Sequence, residues 1–157
     1  ADGAGSATAV YSIDSSRGDV AVSSDVANLD QFDVPFELAL VSNTNVVASN
    51  SHGVLTLGSA GIYSITVSMQ VVQDGNESQS FILSLALNGS TLLFEDNIDL
   101  GGPGNTGSLL ISNAMINTSS NGDIIVAQIR KKTSNPTHLD VAVSPHALAT
   151  IRVEKLS

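Results

Sequence analysis

The stretch Gly58–Gln73, GSAGIYSITVSMQVVQ, constrains this chain more than any other. Tyr63, Ile65, Val67, Met69 and Val71 alternate with Ser64, Thr66, Ser68 and Gln70. A period of two places each set on its own side of an extended backbone. The stretch therefore predicts a long strand with one wholly apolar face, and such a face needs a second layer to cover it. The opposite face is also unusual. It carries small hydroxyls and an amide instead of the Lys and Glu of a wet surface, in a chain whose charged residues make up only 13%.

The remainder reads the same way. Apolar, β-prone runs occur at DVPFELALV (33–41), HGVLTLG (52–58), SFILSLALN (80–88), TLLFE, SLLISNAMIN (108–117), DIIVAQIRK (123–131) and ALATIRVEKL (147–156). Turn residues separate them: the polar QDGNESQ, the hairpin signal Asn88-Gly89-Ser90 and the glycine-rich DNIDLGGPGNTG (96–107). No segment holds a 3.6-residue apolar period over three turns. Short strands at close spacing predict an all-β antiparallel sandwich or barrel. An immunoglobulin-type core is excluded, because the chain has no cysteine and no tryptophan. Residues 1–30 stand apart: ADGAGSAT reads as a flexible tail, and AVYSI and DVAVSS flank a glycine-containing turn as a possible hairpin. The expected division is an N-terminal segment, 1–30, and a head domain, 31–157.

Charge narrows the partners. The net charge is −9, and the six Lys and Arg residues make only one cationic run, Arg130-Lys131-Lys132. Binding to phosphate backbones draws on clustered cations, so nucleic acid is not expected as a partner. No apolar run reaches the roughly 18–20 residues that a membrane span requires. The chain opens on Ala1 instead of Met and reads as a piece of a longer protein.

Few residues could carry chemistry. His52, His138 and His146 form neither H-x-H nor H-E-x-x-H, and no G-x-S-x-G elbow is present. Glu95, Asp96 and Asp99 crowd together before the glycine-rich stretch, and clustered oxygen donors on a pliable backbone suit calcium. A solvated acidic loop is the plainer reading, and calcium is the one cofactor the sequence raises. Arg17-Gly18-Asp19 is an adhesion-type tripeptide in a predicted turn, although turns select Gly and Asp regardless. The sequons at Asn76, Asn88 and Asn117 reflect a chain rich in Asn, Ser and Thr.

Taken in order, VPF, then GVLTLGSAGIYSITV, SFILSLALNGS, NGDIIVAQI and ATIRVEKL resemble the jelly-roll heads of the complement component 1q and tumour necrosis factor superfamily. Gly61-Ile62-Tyr63 matches the Gly-x-Tyr that opens a long strand in that family, and Gly122-Asp123 the Gly-Asp before a later one. The pattern is similar to microbial and viral members: the C-terminal domain of the collagen-like exosporium glycoprotein of Bacillus spores, and phage spike and fibre heads. Low aromatic content, 4%, and Ile65 where the family often carries Phe are departures.

The resemblance implies an antiparallel β-sandwich jelly roll assembled as a homotrimer, with the last strand returning through the middle of the inner sheet. Tyr63, Ile65, Val67, Met69, Ile125, Ala127 and Ile129 would then fill the subunit core. Ile124, Val126 and Gln128 would look towards the threefold axis, and the small polar face of Gly58–Gln73 towards neighbouring subunits. The implied role is non-enzymatic: a surface or attachment head on a virion or spore exosporium, contacting a host-surface glycan or protein receptor. A structural coat protein that recognises nothing is the alternative, with a jelly-roll enzyme behind both.

Overall fold

The computed structural model describes residues 7–13, 20–22, 31–73, 78–101, 106–131, 139–141 and 149–157. Every element among them is a strand. In chain order they are β1 (Ala7–Ser12), β2 (Val20–Val22), β3 (Gln31–Asp33), β4 (Leu38–Val41), β5 (Val47–Ser51), β6 (Val54–Leu57) and β7 (Gly61–Gln73). Then follow β8 (Ser78–Leu87), β9 (Ser90–Gly101), β10 (Thr106–Thr118), β11 (Ile124–Lys131), β12 (Leu139–Val141) and β13 (Ala149–Lys155).

All pairings are antiparallel and form two sheets. In the seven-stranded sheet, β7 lies between β10 on one side and β13 on the other, followed by β1 and β4. The far end of β7 pairs with β12, in line with β13, and β2 lies beyond β12. The six-stranded sheet runs β5-β6-β11-β8-β9, with β3 pairing β11 alongside β6. The last strand thus returns through the interior of its sheet, between β7 and β1. Two antiparallel layers without helices make a jelly-roll sandwich.

The core lies between the layers. Tyr63, Ile65, Val67 and Met69 of β7 meet Leu83 and Leu85 of β8 and Ile125, Ala127 and Ile129 of β11 in one buried cluster. Burying such side chains stabilises by about 1.5–3 kcal/mol each. The tyrosine at the head of β7 is placed by its hydroxyl, which donates to the Ser59 carbonyl at 2.6 Å. The glycine before it is placed by the end of the chain. Leu156 N donates to Ile62 O at 2.7 Å, so β13 closes against the start of β7. A Cβ on Gly61, whose φ is 150°, would collide with the Ser157 carbonyl oxygen.

Four expectations need correction. The division at residue 31 fails because β1 is an interior strand: Ala7–Ser12 pairs with β13 on one side and β4 on the other, and Ala9, Tyr11 and Ile13 are buried in the core. AVYSI and DVAVSS form no hairpin with each other, since β1 pairs β13 and β4 whereas β2 pairs β12. DVPFELALV is not one strand. β3 belongs to the six-stranded sheet and β4 to the seven-stranded one, and the chain changes layers across Val34–Glu37. Pro35 cannot donate to a ladder, and Val34 and Phe36 enter the core at the crossing. Lastly, the first half of the stretch expected as a glycine-rich loop is strand, because β9 continues through Asp96–Gly101 with Ile98 and Leu100 facing inward.

Candidate functional site

The outer face of the seven-stranded sheet answers the question raised by the small polar side of β7. Cross-strand register lays out its rows. One runs Leu110, Ser68, Thr150, Ser12, Leu38, the next Thr66, Arg152, Val10, Val41, and the one after it Met115, Ser64, Glu154, Thr8. The middle of the face is polar: small Ser and Thr side chains surround the exposed Arg152 and the half-buried Glu154 of β13, and Ser12 and Ser64 are themselves buried. The margins are apolar. Leu110 and Met115 on β10 are each 51% exposed, with Ile62 and Leu156 also exposed near the start of β7. At the opposite edge, Leu38, Leu40 and Val41 of β4 are exposed. All the large apolar side chains found exposed among the described residues belong to this sheet or to the Leu156 that follows it. Exposed apolar side chains grouped at the two margins of one sheet make this face a candidate for association.

A bulge makes the β10 margin. Ser112 and Asn113 together oppose Thr66, so the register shifts between Ile111 and Ala114. Asn113 takes the extra turn at φ 52°, a conformation that Asn tolerates better than most residues. Its N–H donates to Thr66 Oγ1 at 3.1 Å, and its Oδ1 accepts from Ser64 Oγ at 3.3 Å. The bulge resets the alternation, so Leu110 and Met115 share the outer face although five positions apart, while Leu109, Ile111, Ala114 and Ile116 share the core. Alternation alone could not have paired Leu110 with Met115; the available signal was the polar Ser112-Asn113 interruption of an apolar strand.

The residues expected at a threefold axis lie on the other layer. Ile124, Val126 and Gln128 are on the outer face of the six-stranded sheet, since Ile125, Ala127 and Ile129 point inward. Val126 is already covered within one chain, at 7% exposure beside the buried Ala86. Gln128 donates to Asp33 at 3.0 Å, and Arg130 pairs with Glu95 at 3.2 Å on the same face. Among the described side chains no exposed apolar pair lies there, and the exposed apolar residues point to the seven-stranded sheet as a candidate assembly face.

The three acidic residues do not converge. Along β9, Glu95 and Asp99 point outward and Asp96 to the opposite side, because Asp96 stands across from the core residue Leu83. Each has a separate partner: Glu95 has Arg130, Asp99 accepts from the Ser80 hydroxyl, and Asp96 accepts from Leu110 N at 2.8 Å and Asn97 N at 3.0 Å. The Asp96 carboxylate therefore caps a backbone donor on β10, linking the two sheets at this margin. Among the described residues no three His, Asp or Glu side chains gather as a metal site, and no helix is long and apolar enough to cross a membrane. His52 lies 3.4 Å from Glu37 at an exposed turn. Arg17-Gly18-Asp19, His138 and His146 lie outside the described residues.

Comparison with solved structures places this geometry. The Eiger TNF structure from S. frugiperda superposes with a TM-score of 0.61 at 18% identity, over 97% of this chain and 93% of that one. The fold is that of the tumour necrosis factor jelly rolls. Murine APRIL at pH 8.0 gives a TM-score of 0.59 at 18% identity, over 95% of this chain and 99% of that one. No family model matches the sequence, and no curated protein sequence matches it. The likeness therefore lies in the path of the chain.

Proposed function

We propose that this chain is a non-enzymatic head domain that assembles as a homotrimer through the outer face of its seven-stranded sheet. On this reading it is displayed on the outside of a particle, a spore or virion, where it contacts a host-surface glycan or protein receptor. The observation that carries the assembly is the pair of apolar margins, Leu38-Leu40-Val41 on β4 and Ile62-Leu110-Met115 near β10, at opposite ends of one face. Two different patches that join head to tail make a heterologous contact, and a closing rotation turns that contact into a ring. Between them the face carries Ser and Thr side chains with Arg152 and Glu154, a polar surface that can hydrogen-bond across the contact. The jelly-roll likeness and the Gly-Ile-Tyr and Gly-Asp motifs support the head-domain reading, and the microbial flavour of the sequence supports the particle surface.

Light scattering on the intact chain tests the assembly. The expected mass is three times the 16.1 kDa of one chain. Leu110→Asp with Met115→Asp places charge on the margin and should release folded monomers. Asn97→Lys, at an exposed position on the other sheet, should leave the trimer intact. A wild-type mass of one chain overturns the trimer. A double variant that stays trimeric overturns the choice of face. Binding of the trimer to a glycan array or to host cells separates an attachment head from a coat domain without a ligand.

A further inference from the structure

Two Asn-Gly pairs occur in the chain, Asn88-Gly89 and Asn121-Gly122, and the fold treats them differently. Asn88 heads the β8–β9 hairpin with φ 51°, followed by Gly89 at φ 84°. Both ends of its side-chain amide are held. Oδ1 accepts from Ile124 N at 2.9 Å, and Nδ2 donates to Asp123 Oδ1 at 3.0 Å. Its own backbone N donates to Ile124 O at 2.9 Å. Asn121 stands in the exposed turn between β10 and β11, before Gly122 at φ 82°. One contact holds its side chain: Oδ1 accepts from Ala60 N at 2.9 Å.

We infer that Asn121 is a site of spontaneous deamidation in the folded protein and that Asn88, also followed by glycine, is protected by its clamp. The Gly122 backbone nitrogen attacks Asn121 Cγ, the Cγ–Nδ2 bond breaks, and ammonia leaves with the proton from the Gly122 amide. Water then opens the resulting imide at either of its two carbonyls. One opening gives aspartate at position 121, and the other gives isoaspartate. The following glycine has no side chain to obstruct the attack. At Asn88 the same attack requires the amide to leave Ile124 and Asp123, both of which hold it.

The two products differ in consequence. Aspartate at 121 keeps an oxygen for Ala60 N and preserves the turn while adding a negative charge. Isoaspartate routes the main chain through the side-chain carbon and lengthens the turn that leads into β11, whose Ile125, Ala127 and Ile129 lie in the core. An accumulating isoaspartate fraction should therefore loosen the entry to β11.

Peptide mapping by mass spectrometry after mildly alkaline incubation tests the assignment, on native chain and on chain unfolded in guanidinium. In the native protein, Asn121 should convert faster than Asn88 by between about fivefold and hundredfold, the slowing expected from the one extra hydrogen bond, to the charged Asp123, that must open. In the unfolded chain the two rates should be similar. Asp123→Ala removes the Nδ2 acceptor while keeping every backbone bond, and should speed Asn88 in the native protein. A native ratio below about fivefold, an equal bias in the unfolded chain, an Asn88 rate indifferent to Asp123→Ala, or no native conversion at Asn121 while the unfolded chain converts would each overturn the inference.

Discussion

Deleting residues 1–30 tests the architecture most directly, because sequence alone marks them as an appendage and the structure places part of them inside the sandwich. The deletion removes β1, which joins β13 to β4 in the seven-stranded sheet. Tyr11 and Ile13 are 6% and 4% exposed, and Ala9 is fully buried. At about 1.5–3 kcal/mol for each large side chain and about 0.8 kcal/mol for the alanine methyl, their burial contributes about 4–7 kcal/mol. This is an upper bound, since unfolded chains are partly compact, but it is comparable with the whole stability of a typical domain, about 5–15 kcal/mol. The deletion also leaves β4 without the strand it pairs with and opens the side of β13 that carries Ile151 and Val153. A chain starting at Gln31 should be aggregated or unfolded, whereas removal of residues 1–6 leaves β1 whole and should retain the wild-type melting temperature. Ala9→Asp, which buries an unpaired carboxylate, should reproduce the defect in the full chain. Circular dichroism with urea titration reads all three. A Gln31 start with a wild-type midpoint and cooperative unfolding would refute the placement of β1.

Three further outcomes follow from named contacts. Gly61→Ala should lower stability by about 1–3 kcal/mol, because the new methyl meets the Ser157 carbonyl and a residue with a side chain rarely adopts a φ of 150°; removing Ser157 alone should restore only part of the loss in a thermal melt. Burial raises the Tyr11 hydroxyl above its ordinary value of 10.0, so the folded chain holds that proton more tightly than the unfolded one. The resulting stability is fully present below about pH 10 and declines as pH rises through the folded value, so Tyr11→Phe should flatten the fall in melting temperature on the alkaline side. Excess chelator should leave the melting curve unchanged, since Glu95, Asp96 and Asp99 each engage a different protein partner; a clear drop would show that the acidic residues rearrange around a cation.

Local pattern made the sandwich legible. Alternation along Gly58–Gln73 separates Tyr63, Ile65, Val67 and Met69 from Ser64, Thr66 and Ser68 whatever the strand pairs with, because a strand's two faces follow from backbone geometry. The same holds for Ile125, Ala127 and Ile129, and the hairpin at Asn88-Gly89 could be read from residues that tolerate positive φ. What required the tertiary structure was every question of which partner a strand or side chain finds. AVYSI looked detachable because its pairing residues, Ala149–Lys155, lie at the other end of the chain. DVPFELALV looked like one strand because a change of layer leaves no mark on its apolar character beyond Pro35. The acidic trio looked convergent because proximity in sequence conceals that neighbouring strand residues point apart. The proposed association face lies on the sheet opposite β11 for the same reason: exposure belongs to the packed molecule, and a one-residue bulge at Asn113 decides that Leu110 and Met115 meet solvent together.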